Sequence, residues 1–419
     1  MRVAFVSGTY HPVRDGVSHY VQRLKLALSK EGLDPIVLTT VEAARRAEDE
    51  QVVGVVKGWG AGMLPALTRA IRGSAADVVH IQHAAGSYHS QRAVLALPLV
   101  LRATGWRRPI VSTVHEYGWW DWQPAYLPPA LLGVMKRWGE RRAWWDGEDA
   151  FLLTLSDSVI ATHETSARHL VDRLPSLAER LVRIPIGANV SVASWPRQAA
   201  RQATCREAGW PQGCPIIAYF GFLHPVKGLE TLLEAFGQLL TALPAARLLL
   251  LGGVESSMLR GEEAERYREE LRVRTLVGSL MGKVHMTGYL AEPELSRYLT
   301  GADVGVLPFK HGLTLKSGSL LALLAHGLPV VGTASVGGDA ELEGEPSVRL
   351  VPRQDPHALA QALLQWLPPS EEPGHLRRRA QAFAAGFSWE GIAERHLRLY
   401  RRLSHHHPSH LGDARPAPI

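Results

Sequence analysis

The sequence predicts an α/β protein made of two doubly wound, mostly parallel sheets. Three observations carry that expectation. Short apolar runs of strand length alternate with helical stretches in both halves of the chain. The alternation weakens into Pro-, Gln- and Ala-containing sequence around Ile184–Gly213, read as an interdomain linker plus a short helix, and restarts at Ile216. The length, 419 residues, suits two domains of roughly 150–200 residues, each burying its own core.

Taken in order, Arg2–Ser7 is the first buried strand, followed by a helix over about Val17–Lys30. Val17, Val21, Leu24 and Leu28 repeat on one face of that helix, and Gly32 marks its C-terminal end. Further strands are expected at Pro35–Thr40, Asp77–Ile81, Pro109–Val114 and Asp157–Thr162. Helical stretches at Gly62–Arg72 and Gln91–Thr104 lie between them, which implies right-handed crossovers. The second half repeats the scheme, with strands at Arg247–Leu251, Val284–Thr287, Asp303–Pro308, Pro329–Val331 and Ser347–Val351. Segments Pro373–Ala385 and Ser388–Leu403 read as helices. The expected division is a first domain at 1–190, a linker at 191–213, a second domain at 214–386, a closing helix at 387–403 and a disordered tail at 404–419. Two such domains are expected to face each other across a cleft.

Composition narrows the function. Hydrophobic residues make up 46%, which indicates a globular chain. The formal charge of +6, from 46 basic and 40 acidic residues, suits anionic small molecules or an anionic membrane surface. It is too diffuse to indicate nucleic acid. Two cysteines, Cys205 and Cys214, support neither a disulfide framework nor a cysteine zinc site, and fit a cytoplasmic location. The opening strand lacks a signal-peptide core, and no apolar run of about 18 residues predicts a membrane span.

The stretch Pro215–Gly228, PIIAYFGFLHPVKG, organises the second half. A strand over Ile216–Phe220 stops at Gly221, and a helix starts near Gly228 with Leu229, Leu232, Leu233 and Phe236 at helical spacing. Lys227 sits just before that helix, where unpaired N–H groups already create positive potential. An anion between lysine and helix resolves the conflict, so the stretch reads as a phosphate seat or as a solvated loop lysine. Lys316 stands in the same relation to a helix beginning Ser317-Gly318-Ser319-Leu320. Ser317 there is either an N-cap alone or part of an amide-lined diphosphate site. Two such arrangements at strand C-termini favour the anion reading.

The loop from Gly8 to Gly16 lacks the Gly-x-Gly-x-x-Gly fingerprint of nicotinamide enzymes. Asp15-Gly16 and Gly252-Gly253 are either tight turns or places where backbone amides face a ligand. His115 and Glu116 follow a strand and should sit at its ligand-facing end. His80 and His83 are too few for a metal site, and no spaced Asp-x-Asp pair appears. Trp119, Trp120, Trp122, Trp138, Trp144 and Trp145 crowd a region that also holds Lys136, Arg137, Arg141 and Arg142. That mixture suits a membrane interface, an amphiphilic acceptor or sugar stacking, or else a helix pair packing its aromatics inward.

Together these positions resemble glycosyltransferase family 4, retaining nucleotide-sugar transferases with two Rossmann-like domains (the GT-B fold). Asp15-Gly16-Val17-Ser18 is similar to the family's Gly-Gly-Val loop, and Val114-His115-Glu116 to its Val-His-Asp strand end. Gly221-Phe222-Leu223 with Lys227-Gly228 is similar to the Gly-Arg-Leu and Lys-Gly element. Ala325-His326-Gly327-Leu328-Pro329 fits the donor-side pattern, and Phe387-Ser388-Trp389-Glu390 opens a helix like the one that crosses back to the first domain. The resemblance implies an acceptor-side first domain and a donor-binding second domain. It also implies metal-independent transfer from a nucleoside-diphosphate sugar to a small-molecule, glycan or lipid-linked acceptor, with no permanently bound cofactor.

It further implies roles for Lys227 and His115 in catalysis. Donor binding falls to Asp15, Gly16, Gly221, Phe222, Lys316, Ser317, Gly318, Ser319 and Leu320. Three positions depart from the pattern. Phe222 stands where the family has a phosphate-binding arginine, and Thr314 and Ala322 stand where it has paired glutamates. Losing a charged bond to the ribose should weaken donor affinity by roughly 10- to 150-fold. Lys316 is the expected substitute for the missing arginine. The alternative reading is a nucleotide-sugar sensor or scaffold without turnover. Peripheral contact at the inner face of an anionic membrane completes the expectations.

Overall fold

The computed structural model describes residues 1–10, 15–118, 123, 127–255, 259–367 and 373–406. It divides into two units, Met1–Pro185 together with the segment from Glu390 on, and Ile186–Trp389. Trp119, Trp120 and Trp122 and residues 407–419 lie outside the described residues.

Seven parallel strands of the first unit form one sheet: β1 Arg2–Ser7, β2 Asp34–Thr40, β3 Val52–Val56, β4 Val78–His83, β5 Ile110–Val114, β6 Ser158–Ala161 and β7 Leu181–Arg183. Their order is β3-β2-β1-β4-β5-β6-β7, so the winding reverses between β1 and β4. The central strands are buried along their whole length, as apolar runs covered on both faces must be. β3 and β7 were not expected from the sequence. Both are edge strands whose burial is broken, so neither carries a continuous apolar signal.

The helix Gly16–Lys30 starts where Asp15 caps it and buries Val17, Val21, Leu24 and Leu28. Gly32 lies one position past the capping residue Glu31, with a φ of 77°. The last helix, Trp389–His406, runs past Leu403, so His405 and His406 are helical and not part of a disordered tail. It is fastened to the first unit by buried polar contacts. Tyr400 Oη lies 2.6 Å from His80 Nδ1, His80 Nε2 lies 2.7 Å from Thr113 Oγ1, and Tyr20 Oη lies 3.3 Å from His396 Nε2. Burial holds His80 well below the usual imidazole range and His396 down to about 4.

In the second unit, six parallel strands follow: β8 Ile216–Phe220, β9 Arg247–Leu251, β10 Val284–Gly288, β11 Val304–Leu307, β12 Val330–Thr333 and β13 Val348–Val351. The order β10-β9-β8-β11-β12-β13 places its reversal between β8 and β11. The short helix expected in the linker stretch is present and packs in this unit. It spans Arg197–Glu207 and buries Ala200, Thr204 and Cys205. Asp303, just before β11, accepts from Arg197 Nη2 at 2.6 Å, from Arg201 Nη1 at 2.9 Å and from the Ile216 amide at 2.7 Å. That buried carboxylate locks the helix to the ends of two strands. Cys205 and Cys214 are buried free thiols with their sulfurs 3.9 Å apart.

Candidate anion seat and histidine end

The reversal between β8 and β11 leaves room at the strand C-termini, where open α/β sheets take ligands. Two loops meet there. The loop after β8 turns through Gly221 (φ 146°) and a single 3-10 turn, Pro225–Lys227, before the helix Leu229–Ala242. The loop after β11 passes Phe309 and Lys310 and reaches the helix Gly318–Ala325. A Cβ built on Gly221 would sit 3.1 Å from Ser319 Oγ, so the two stretches singled out from the sequence are neighbours. Gly228 has φ 68°, and a Cβ there would drive into the carbonyl oxygen of Pro308. The Lys310 amide donates to Val226 O at 3.0 Å and ties the loops together.

Lys227 lies half-buried with its ammonium 3.8 Å from the centre of the Phe309 ring. Among the described residues it makes no ion pair. Burial lowers its pKa to about 8. Lys310 stands close by and pairs with Glu230 at 3.5 Å, while Glu230 also accepts from Tyr267 Oη at 2.9 Å. His224 accepts from the Val226 amide at 3.3 Å. Burial, then the charges of Lys227 and Lys310, hold its pKa below the ordinary histidine value. The local field is therefore positive and only partly neutralised.

Ser317 caps the helix Gly318–Ala325, its hydroxyl accepting from the Leu320 amide at 3.2 Å. The N-cap expected at Ser317 is therefore present. The cap occupies Leu320 N, and no backbone acceptor among the described residues takes the amides of Gly318 and Ser319. Lys316 is exposed. Phe222 packs edge-to-face toward Tyr289, with ring centroids 6.4 Å apart, and supplies no charge. Ala322 is fully buried inside the helix, so its position has no route to a ligand hydroxyl.

In the first unit, Asp15 is a capping residue. Its carboxylate accepts from the amides of Val17 and Ser18, both at 2.9 Å, and from Ser18 Oγ at 2.6 Å. A Cβ at Gly16 would meet nothing within 4 Å, so the approach to this helix start is open. His115 follows β5, and its amide donates to His83 O at 2.9 Å. Its Nε2 lies 3.0 Å from Gln82 Oε1, and its ring meets Tyr20 edge-on at 4.8 Å. A carbonyl oxygen accepts only, so His115 carries its proton on Nε2 and presents Nδ1 as a bare acceptor. Burial, then His83, hold its pKa down to about 3, so the ring is neutral.

Nearby, His83 Nε2 lies 3.0 Å from Asp149 Oδ1 in full burial. Burial opposes the charge on His83, but Asp149, Glu148 and Glu116 lift its pKa above the usual value. Among the described residues, no group of His, Cys, Asp or Glu is arranged to hold a metal ion.

Sequence reasoning missed Phe309, Lys310 and Gln82. Phe309 and Lys310 stood in plain view after the β11 strand, whereas Gln82 reaches His115 only through the pairing of β4 with β5.

Comparison with known proteins places this geometry. Residues 14–192 match the profile described as Glycosyltransferase Family 4, and residues 214–368 match that of Glycosyl transferases group 1. A D-inositol 3-phosphate glycosyltransferase of Corynebacterium urealyticum is 29% identical over 253 residues, covering 59% of this chain and 57% of that protein. The match thus spans under two thirds of that relative's length. A second D-inositol 3-phosphate glycosyltransferase, of Corynebacterium glutamicum, is 24% identical over 428 residues and covers 96% of each chain. Among solved structures, Anabaena HepE in complex with UDP-glucose is 17% identical with a TM-score of 0.66, covering 96% of this chain and all of that one. The fold is that of the two-Rossmann GT-B enzymes, and with both profiles in sequence order the chain belongs to glycosyltransferase family 4.

Proposed function

We propose that this protein transfers a sugar from a nucleoside-diphosphate sugar to an acceptor hydroxyl, without a metal and with retention at the anomeric carbon. The observation that carries the reading is Lys227, a half-buried ammonium with no carboxylate partner among the described residues, in the β8 loop whose Gly221 approaches Ser319, where the first-turn amides of Gly318 and Ser319 have no backbone acceptor among the described residues. Such a group is stabilised by an anion, and a diphosphate supplies one.

As the bond between the anomeric carbon and the diphosphate breaks, negative charge grows on the departing phosphate. Lys227 and those amides meet it there, with Lys310 and Lys316 adding to the field. The new bond forms to the acceptor oxygen, whose proton passes to the departing phosphate oxygen. Neutral His115 accepts a hydrogen bond at Nδ1 from a hydroxyl of the sugar or acceptor, and the Gly16 amide contributes a further donor. A UDP donor is supported by the UDP-glucose held by the HepE structure, and a hydroxyl acceptor by the names of the relatives. The acceptor is a small molecule, a glycan or a lipid-linked molecule, presented in the cytoplasm or at the inner face of an anionic membrane. No helix among the described residues is long and apolar enough to cross a membrane.

The buried alanine at position 322 and Phe222 favour a second reading, a sensor that binds the nucleotide sugar without turnover. Incubation with UDP-, GDP- and ADP-sugars, with and without candidate acceptors, separates the two. Acceptor-stimulated release of nucleoside diphosphate supports transfer, and binding without release supports the sensor.

A further inference from the structure

We infer that the helix Pro129–Arg141 of the first unit is a docking surface for an anionic lipid bilayer. The inward packing expected for its tryptophan is not what the structure shows. Leu131, Val134, Met135 and Trp138 follow one another at i, i+3, i+4 and i+7, and they are 51%, 57%, 39% and 42% exposed. Trp144, just beyond the helix, is 53% exposed and meets Trp138 edge-on at 4.9 Å. The opposite side buries Leu132 and Gly139. A helix on a water-facing surface turns its polar side out, and this one turns out an apolar row with tryptophan at its end.

The charges around the row identify what covers it. Arg137, Arg141 and Arg142 are exposed, and the Arg142 guanidinium lies 4.5 Å from the centre of the Trp138 ring. The one acidic side chain of the segment, Glu140, is withdrawn into the unit, where it accepts from the Gly147 amide at 2.9 Å and pairs with Arg173 at 3.3 Å. The exposed charge of the helix is therefore all positive. A second copy of the chain placed on the same row would set like charges against like, with no exposed carboxylate on the helix to answer them. A bilayer answers both features, taking the apolar row and tryptophan at its interface and the arginines at anionic headgroups.

A contrasting patch supports the choice. Val273, Leu276, Val277 and Met281 of the second unit are also exposed, but they adjoin a helix where Glu269 and Glu270 pair with Arg272 and Arg274, so that neighbourhood carries both signs. The inference stands whether or not sugar transfer is confirmed, since it rests on a different face and a different observable.

Flotation of the full chain with phosphatidylcholine vesicles, with and without phosphatidylglycerol, tests it. The expected result is flotation only with the anionic vesicles, diminishing as salt rises. Trp138→Glu should lower the bound fraction about tenfold, and Arg137→Glu and Arg141→Glu at least about fivefold each. Val277→Glu should leave binding unchanged, and circular dichroism should report native helix content in every variant. Failure to float with anionic vesicles overturns the inference. So does flotation that survives a natively folded Val134→Glu/Trp138→Glu double variant, or that Val277→Glu reduces equally. A dimer in sedimentation that Trp138→Glu dissociates, without flotation, reassigns the row to self-association.

Discussion

The two units use one architecture to prepare opposite electrostatics at their strand ends. At the end of β5, His115 is neutral and held by Gln82 and Tyr20, beside a His83–Asp149 pair closed within the unit. At the ends of β8 and β11, Lys227 lies over an aromatic face with no carboxylate among the described residues to neutralise it. The first end is polar and satisfied, and the second is cationic and awaits an anion. The same doubly wound scheme thus repeats in both units, while the side chains carried past each strand set the chemistry of its end.

The comparison breaks most visibly in acid. His80, His115 and His396 are buried with pKa values below the ordinary histidine value, so the unfolded chain takes up protons near pH 6.5 that the folded one refuses, His115 until about 3 and His396 until about 4. Stability is then full above about pH 6.5 and falls as pH drops, by up to about 1.4 kcal/mol per pH unit for each such histidine. His83, with its pKa raised, contributes stability that is complete below about pH 6.5 and lost as pH rises above it, so it leaves the acid decline untouched. Denaturation midpoints measured between pH 7 and 4 should trace that decline, and a flat profile would contradict the buried histidine network.

Gly228→Ala comes next. With φ at 68° and the Pro308 carbonyl in the way, it should cost about 2–4 kcal/mol in chemical denaturation. Gly16→Ala is its control, since a Cβ there meets nothing within 4 Å. Lys227→Ala should lower transfer at least about tenfold while leaving the unfolding midpoint level or higher, because it removes a half-buried charge. Unaltered kinetics would dismiss Lys227 from the chemistry. The smallest effect is on binding. With a pKa of about 8, Lys227 loses its proton as pH rises, so nucleoside diphosphate affinity measured by calorimetry should weaken above pH 8, by no more than about tenfold at pH 9.

Much of this was legible in the residues, for physical reasons. Interior strands such as Arg247–Leu251 are buried on both faces and announce themselves as unbroken apolar runs. Edge strands β3 and β7 do not, because half their side chains meet water. Lys227 before a helix start was visible because it creates a local electrostatic conflict. Its seat on Phe309 was not, since that contact depends on where a second loop passes. Composition crowded Trp138 and Trp144 with Arg137, Arg141 and Arg142 without saying which of them the protein would cover. The linker reading missed that Asp303, far along the chain, would capture Arg197 and Arg201.

The helix Trp389–His406 has one more consequence. Tyr400 and His396 complete the hydrogen bonding of His80 and Tyr20, yet they leave the ribosome only after the whole of Ile186–Trp389. Ile186–Trp389 is continuous in sequence and can close as soon as it emerges. The half that is translated first is therefore finished last, an inversion of the usual N-to-C order of domain maturation.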